Sequence, residues 1–291
     1  MRSIAWLLVP AALLAQPTVT DLLEARTLEA LAGLERSLGG VLGVAAVDLQ
    51  TGWIFGRNLD TVFPQASAIK IPIMVEVFRA ARAGRIRLEE RVRLGPADIV
   101  GGSGSLQQKL RRNPVELTVR ELTELMIRDS DNVATNRLIG LVGMEEVNRT
   151  LDSLGLFATR LRRRMMDSAA ATRDEENVST PREMARLAEL LYRERLVDGD
   201  ACRQMLAIMK TVEAGMRKAV PRQVPVASKP GALPGVRCET GIVFLPGRPF
   251  ALSVMGTFLG DQEDPVQSVT RILYSHFDRL ARSNRYGHRV R

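Results

Sequence analysis

The chain has 291 residues, 45% of them hydrophobic and 25% charged, with a formal net charge of +8. This composition excludes bulk disorder and suffices for one large domain or two lobes with a sizeable core. The positive charge is almost all arginine, and a solvated arginine-rich surface explains it best. Anionic substrates, an anionic membrane surface or nucleic acid would also suit a basic chain.

The first residues are typical of a secretory signal peptide. Met1-Arg2 gives a positive start, Ile4–Leu14 is an apolar run too short to span a bilayer comfortably, and Ala15 precedes polar Gln16-Pro17. We therefore predict a signal peptide over residues 1–15 and a secreted or periplasmic protein without a later membrane span. The alternative is an uncleaved membrane anchor. For an exported chain, nucleic acid is not an expected partner.

Helical spacing of apolar residues predicts a first helix over 18–39, ended by Gly39-Gly40. Two strands follow at 41–49 and 52–58, joined by a hairpin turn. The middle of the chain is predicted to be helical, with a long polar loop over 161–180. Its helices are predicted within 63–85, 118–128, 132–143, 144–155, 180–196 and 199–212.

The pattern returns to strands near the end of the chain, at 225–231, 237–246 and 250–259, before a last helix over 264–283. Strands at both ends of the sequence favour an α+β fold, in which an antiparallel sheet with packed helices carries an inserted all-α lobe. The α/β lobe is assigned to 16–63 and 212–291. The all-α lobe is assigned to 64–211, with an active site between the lobes.

Cysteine and histidine are too few for several common sites. Only Cys202 and Cys238 are present, and we expect two separate buried thiols, although export would permit a disulfide. The only histidines, His276 and His288, lie in or after the last helix. We therefore predict no metal, no other cofactor and no Ser-His-Asp triad.

Ser67 and Lys70 stand at i and i+3 in "QASAIKIP" at the start of an apolar helix, which places both side chains on one face. A lysine among apolar residues has its pKa lowered by desolvation and can accept the proton of a serine nucleophile. Such pairs are also common on helix surfaces. The apolar setting of Lys70, in a chain that prefers arginine, favours the functional interpretation.

Two further motifs carry suitable chemistry. Ser130-Asp131-Asn132 lies at a junction of helices, where a hydroxyl could relay a proton and an amide could bind a carbonyl, or where Ser130 or Asp131 could simply cap a helix. Lys229 ends a strand, and Gly231 would let a ligand approach the backbone. The alternative for this third motif is an ordinary strand end followed by a turn.

Together, Ser-x-x-Lys, Ser-Asp-Asn and Lys-x-Gly in this order and spacing resemble the signature of class A β-lactamases and penicillin-binding proteins. The resemblance covers nearly the whole mature chain and implies the same two-lobed fold. It implies that Ser67 is the acylated nucleophile, that Lys70 is its general base, and that Ser130 passes a proton to the leaving nitrogen.

The same resemblance implies the substrate contacts. Asn132 would bind the acylamino carbonyl, and Lys229 would attract the substrate carboxylate. The backbone N–H groups of Ser67 and Ala232 would form an oxyanion hole. Arg237 would be a second carboxylate anchor, although its loop differs in length from that of the family.

The sequence departs from the family at two places. Pro230 stands where the third motif usually has Thr or Ser, so a hydroxyl and an N–H donor are lost. The water-activating Glu expected near Met165 in "LRRRMMD" is absent. Lys70 and Asp167 are the remaining candidates for water activation, and a purely structural role of this stretch is favoured over Asp167.

Three interpretations of function remain. The first is an exported, monomeric serine β-lactamase that opens β-lactams through an acyl-enzyme and confers antibiotic resistance. The second is a related acyl-serine enzyme acting on another substrate: a D-Ala-D-Ala peptidase, an esterase or an amidase. The third is a penicillin-binding sensor that acylates and deacylates slowly. All three require acylation of Ser67 by a small β-lactam or peptide-like molecule.

Overall fold

The computed structural model describes residues 16–290, so the predicted signal peptide at 1–15 lies outside the described residues. The strands are β1 (Val41–Asp48), β2 (Ile54–Arg57), β3 (Phe63–Pro64), β4 (Arg91–Leu94), β5 (Val115–Thr118), β6 (Val178–Ser179), β7 (Val226–Leu233), β8 (Val236–Val243) and β9 (Phe250–Thr257). The helices are α1 (Val19–Arg36), α2 (Lys70–Arg82), α3 (Leu106–Leu110), α4 (Val119–Arg128), α5 (Asn132–Val142), α6 (Met144–Ser153), α7 (Ser168–Thr172), α8 (Pro181–Tyr192), α9 (Gly199–Met209), α10 (Gly215–Ala219) and α11 (Val266–Arg282).

The two ends of the chain build one antiparallel sheet with the strand order β2-β1-β9-β8-β7. The strands β1, β8 and β9 are buried along nearly their whole length, because helices cover both faces of the sheet. On one face α1 and α11 close a core in which Phe250 stacks on Phe277 with ring centroids 4.4 Å apart. This confirms the α+β fold predicted from the order of the elements.

The helices from α2 to α9 form the inserted part of the chain. Their starts follow local chemistry: Thr118 and Glu121 form the capping box expected before α4, and Thr180 caps α8, which has Pro181 in its first turn. The helix α2 is buried on nearly every side and forms the centre of the larger core.

The prediction of an all-α lobe over 64–211 is wrong in detail, because two short antiparallel pairs lie within or at the edge of this range. One pair joins β4 and β5, and the other joins β3 and β6. In the second pair, β3 leads into the turn Ala66–Ile69, which holds the expected nucleophile Ser67 and is called the nucleophile turn, while β6 leads out of the polar loop. Backbone pairing therefore fixes both segments next to each other. The helix α8 also packs directly on β1, β8 and β9.

Both cysteines are free and buried, Cys202 in α9 and Cys238 in β8, which confirms the expectation of two separate thiols. Within residues 16–290, no helix combines the length and apolar character needed to cross a bilayer. The same part of the chain holds no group of three His, Cys, Asp or Glu side chains arranged to bind a metal ion.

Candidate active site

Ser67 lies in a short 3₁₀ turn, Ala66–Ile69, immediately before α2, rather than in the α-helix itself. Residues at i and i+3 eclipse each other in a 3₁₀ turn, so Ser67 still stands on the same side as Lys70. Ala66, just before the serine, has a φ of +42°, a strained value for a residue with a Cβ. The turn leaves Ser67 half-buried in the wall of two adjacent cavities.

Lys70 is fully buried at the start of α2. Its Nζ lies 2.7 Å from the carbonyl oxygen of Ser130, 3.1 Å from Ser130 Oγ and 2.9 Å from Asn132 Oδ1. Burial lowers the pKa of Lys70 well below its usual value, and the nearby positive charge of Lys229 lowers it further. A neutral amine is the form that a general base requires.

Ser130 connects the two lysines of the site. Its Oγ lies 3.1 Å from Lys70 Nζ and 3.0 Å from Lys229 Nζ, and its φ of +54° is again strained. Burial lowers the pKa of Lys229 to about 8. Of the two residues that could cap α5, Asp131 is the one that does, because its side chain accepts a hydrogen bond from the backbone of Ala134 in α5.

The third motif lies on β7, the edge strand of the sheet, which tolerates Pro230 because an edge strand needs only one row of ladder bonds. Gly231 packs against the nucleophile turn rather than leaving room for a ligand. A Cβ at this position would stand 2.7 Å from Ser67 N and 2.7 Å from Gln65 O. Ala232 lines the same two cavities as Ser67, so the two residues expected to supply the oxyanion donors border the same space.

Arg237 pairs with Ala232 across β7 and β8 and lines the cavity that contains Lys229. Its guanidinium donates hydrogen bonds to the carbonyl oxygens of Leu233 and Val236, at 3.0 and 2.8 Å. The structure therefore brings Arg237 next to the site but ties it to the turn between the two strands. It retains further N–H donors for a substrate.

Comparison of the sequence with known proteins identifies the family of this chain. A model described as "Beta-lactamase enzyme family" matches residues 25–277. A β-lactamase of Streptomyces albus G is 32% identical over 241 residues, which are 77% of this chain and 75% of that protein. The chain aligns with 53% of the length of a β-lactamase of Rhodobacter capsulatus and with 77% of the length of one from Nocardia asteroides.

The chain belongs to the β-lactamase enzyme family.

Solved structures agree with this assignment. A β-lactamase from Sphaerobacter thermophilus superposes with a TM-score of 0.80 at 32% identity, covering 88% of this chain and 97% of the other. A leucine-to-glutamate variant of PBP-A, an acyl-enzyme complex with penicillin G, superposes with a TM-score of 0.79 at 26% identity, covering 88% and 97%. Family and fold together support a serine hydrolase of the β-lactamase type.

The polar loop departs from the β-lactamase pattern where the missing glutamate was expected. Met165 is buried, and its backbone is held by Asn136, which donates to Met165 O at 3.0 Å and accepts from Met165 N at 2.8 Å. Met166, with a φ of +64°, lines a cavity of about 400 Å³ that also contains Ser67. Two methionines thus occupy this part of the cleft.

The acids near this loop have structural partners. Asp167 lines the same cavity, but its Oδ1 accepts a hydrogen bond from Ala170 N and caps α7. Glu176 pairs with Arg163, and Glu175 pairs with Arg173. The structural interpretation of "LRRRMMD" thereby gains support over Asp167 as the base.

Three residues at or next to the site were not identified from the sequence. Gly102 and Gly104 lie against Asn132 and Asp131, where an added Cβ would stand within 2.4 Å of a side-chain atom. Glu239 is buried in β8 and lines the cavity of Lys229. Only Glu239 had a usable signal, since an acid inside a predicted strand that continues into the apolar run "GIVFL" is unusual.

Proposed function

We propose that this protein is an exported serine enzyme that is acylated at Ser67 by β-lactams and hydrolyses the acyl-enzyme slowly. The observation that carries the proposal is the position of Ser130 Oγ, about 3 Å from two buried lysines beside Ser67. A nucleophile, a desolvated amine and a proton relay are the groups that acyl transfer requires.

Acylation follows from this arrangement. Ser67 Oγ attacks the β-lactam carbonyl carbon, and its proton passes to the neutral amine of Lys70. Lys70 then transfers a proton through Ser130 to the leaving nitrogen as the ring C–N bond breaks. The N–H groups of Ser67 and Ala232 stabilise the oxyanion. Loss of one such donor costs about 3–4 kcal/mol of transition-state stabilisation.

Substrate binding follows in the same site. Asn132 holds the acylamino carbonyl, while Lys229 and Arg237 attract a carboxylate, although the Asn132 amide oxygen already contacts Lys70. Gly231 keeps β7 close enough to the nucleophile turn for Ala232 to reach the oxyanion. The substrate is a small β-lactam or peptide-like molecule, the protein acts as a monomer, and its hydrolysis of β-lactams would confer antibiotic resistance.

Deacylation is the slow step in this proposal, because the family's water-activating carboxylate is missing. Met165 and Met166 occupy the corresponding stretch, leaving Lys70 as the best base for the attacking water. Two methionines in place of a water-activating carboxylate favour, as a second candidate, a penicillin-binding protein that stays acylated. A D-Ala-D-Ala peptidase, an esterase or an amidase would use the same acylation machinery on another substrate.

Nitrocefin turnover combined with intact mass measurement tests the proposal. We expect a burst equal to the enzyme concentration, a slow steady rate, and an adduct that disappears in Ser67→Ala. A burst without any steady rate would support the second candidate. Absence of both adduct and turnover in the parent protein would contradict acylation and the whole proposal.

Export is tested separately by expressing the full chain in a bacterium and fractionating the cells. We expect the protein in the periplasmic fraction, shortened by the mass of residues 1–15. A full-length protein that remains with the membrane would support the uncleaved anchor instead.

A further inference from the structure

The helices α1 and α11 pack side by side on one face of the sheet and leave a groove between them. Two cavities of about 340 and 260 Å³ occupy this groove and share Leu23 and Arg279 in their walls. Together they form the α1–α11 groove, which runs from Arg271 at one end to Gly287 at the other. The groove lies on the sheet face opposite to the nucleophile turn, so it is separate from the candidate active site.

The described walls of the groove carry three arginines and no acid. Arg26 lies on α1, and Arg271 and Arg279 lie on α11. Within residues 16–290 none of the three forms an ion pair, although Arg271 donates a hydrogen bond to the amide oxygen of Gln267 at 2.9 Å. Their charges are therefore left for an anion outside the protein.

The acids on the outer sides of the two helices do not neutralise these arginines. Glu29 of α1 pairs with Arg36 at 2.8 Å, and Asp278 of α11 pairs with Arg282 at 2.8 Å. Two further acids near the start of α1 line a separate cavity. The groove therefore keeps three uncompensated positive charges.

The spacing of these cations favours an extended anion over a small one. Arg271 and Arg279 are eight residues apart on α11, so the rise of the helix separates their Cα atoms by about 12 Å. A single phosphate could contact all three arginines only if their side chains bent toward one point against their mutual repulsion. A charged surface contacts them where they stand.

Large apolar side chains lie exposed at one end of the groove. Val19 and Leu22 in the first turn of α1 are 47% and 60% exposed, and Tyr286, just beyond α11, is 67% exposed. Val19 and Gly287 line the same cavity, so the start of α1 and the segment after α11 meet here. Apolar side chains beside cations suit a bilayer interface, where anionic headgroups adjoin hydrocarbon, better than they suit nucleic acid.

The predicted signal peptide joins the described chain at this same end. Residue 16 is the first that the structure describes, and α1 begins three residues later at Val19. A chain that emerges from a membrane behind residues 1–15 would therefore have this end of the groove nearest to the lipid. A bilayer is thus the occupant that accounts for the cations, the exposed apolar side chains and the position of the N-terminal segment together.

We propose that the α1–α11 groove docks this protein on an anionic phospholipid surface. Headgroup phosphates contact the three arginines of the groove, while Leu22 and Tyr286 enter the boundary between headgroups and acyl chains. Binding of this kind is reversible and is weakened by salt. The candidate active site lies across the sheet and stays open to solution. The inference does not depend on the acylation of Ser67.

Sedimentation with lipid vesicles tests the proposal on the protein as a bacterium that expresses the full chain processes it. The probes are vesicles of phosphatidylcholine alone and of phosphatidylcholine and phosphatidylglycerol in equal parts. We expect binding to the anionic vesicles only, lost at about 1 M sodium chloride. Equal, salt-resistant binding to both kinds of vesicle would indicate insertion of the apolar N-terminal segment and would overturn the assignment to the groove.

The triple variant Arg26→Gln, Arg271→Gln, Arg279→Gln removes the charge of the groove at exposed positions, where folding is not at risk. We expect its affinity for the anionic vesicles to fall about 100-fold, from about fivefold for each arginine. Binding at the parent affinity would overturn the proposal.

A second triple variant is the matched control, because it loses the same net charge at exposed arginines of the inserted lobe. Its substitutions are Arg87→Gln, Arg93→Gln and Arg111→Gln. We expect it to bind like the parent. Equal losses in the two triple variants would show that binding follows net charge alone, against a role of the groove.

Tyr286→Ser tests the apolar contact, since it removes a ring that a bilayer interface would bury. We expect a loss of about fivefold in affinity. Phe157→Ser, at a ring of the inserted lobe that is 66% exposed, should match the parent. If the arginine variant weakens binding and Tyr286→Ser does not, the groove is a general polyanion site and the membrane assignment fails.

Inorganic phosphate separates a membrane surface from a pocket for free phosphate. We expect phosphate to release the protein from anionic vesicles no better than sodium chloride of equal ionic strength. Release at a much lower phosphate concentration would assign the groove to free phosphate and overturn the proposal.

Discussion

At the scale of single residues, the proposed function divides the side chains near Ser67 into those that would drive acylation and those that fill space. Lys70, Ser130 and Lys229 are joined by hydrogen-bond distances around one hydroxyl. Met165 and Met166 line the cavity that contains Ser67, and neither side chain is ionisable. The site therefore has the groups that acylation requires, whereas the two methionines supply no base for deacylation.

Met166→Glu should speed deacylation, because Met166 is 52% exposed and its side chain lines the cavity of Ser67. A general base contributes about 100- to 10,000-fold, and we expect at least about tenfold from one placed without further optimisation. Steady-state nitrocefin turnover measures the gain. Met166→Gln matches the shape without the charge, so an equal gain in both variants would exclude general-base catalysis.

Asp167→Asn should leave nitrocefin turnover unchanged. The Asp167 side chain caps α7 by accepting a hydrogen bond from Ala170 N, and Asn caps helices about as well as Asp. The expected change in unfolding free energy is within about 0.5 kcal/mol. A large drop in turnover, with stability retained, would instead establish Asp167 as the water-activating group.

At the scale of elements, the site depends on how closely β7 lies against the nucleophile turn. Gly231 of β7 lies directly against this turn, and its partner Cys238 donates a hydrogen bond to Gln65 O at 3.0 Å. The edge position of β7 explains why Pro230 is tolerated. Strand and turn together set the spacing of the expected oxyanion donors.

Gly231→Ala should abolish fast acylation, because the new Cβ would force β7 away from Ser67 N. We expect a loss of about 100-fold or more in the acylation rate, comparable to the removal of one oxyanion donor. Gly95→Ala, at a glycine with open space around its Cβ position and an ordinary φ, is the matched control. Acylation by Gly231→Ala at the parent rate would show that the contact is dispensable.

At the scale of the whole molecule, two buried groups on the same side of the sheet respond oppositely to pH. His276 in α11 lies 2.9 Å from Thr27 Oγ1, and burial lowers its pKa from 6.5 to about 4. Burial raises the pKa of Glu239 from 4.5 to about 7. The folded state thus disfavours the charged form of both groups.

The sign of each contribution follows from proton binding. Unfolding lets His276 take up a proton between pH 4 and 6.5, so its contribution to stability is lost as the pH falls through this range. Unfolding lets Glu239 release a proton between pH 4.5 and 7, so it costs stability as the pH rises. Denaturant unfolding between these limits should show opposite pH trends when His276→Gln and Glu239→Gln are each compared with the parent. Parallel trends would contradict the assignment.

Much of this protein was predictable from sequence because the relevant signals are local. The capping box at Thr118, the apolar periodicity of the terminal helices and the strand patterns gave the fold class, and three short motifs gave the family. The absence of a glutamate in "LRRRMMD" was visible in the same way. Each of these inferences needs only neighbouring residues.

The tertiary structure decided what depends on contacts between distant residues. The position of Ser130 between two lysines, the packing of Gly231 on Ser67 and the two short strand pairs of the inserted lobe are contacts of this kind. The burial of Glu239 could not be predicted from sequence. Glu239 has a shifted pKa only because the fold removes it from water beside a lysine and a second acid, and burial is a property of the assembled core.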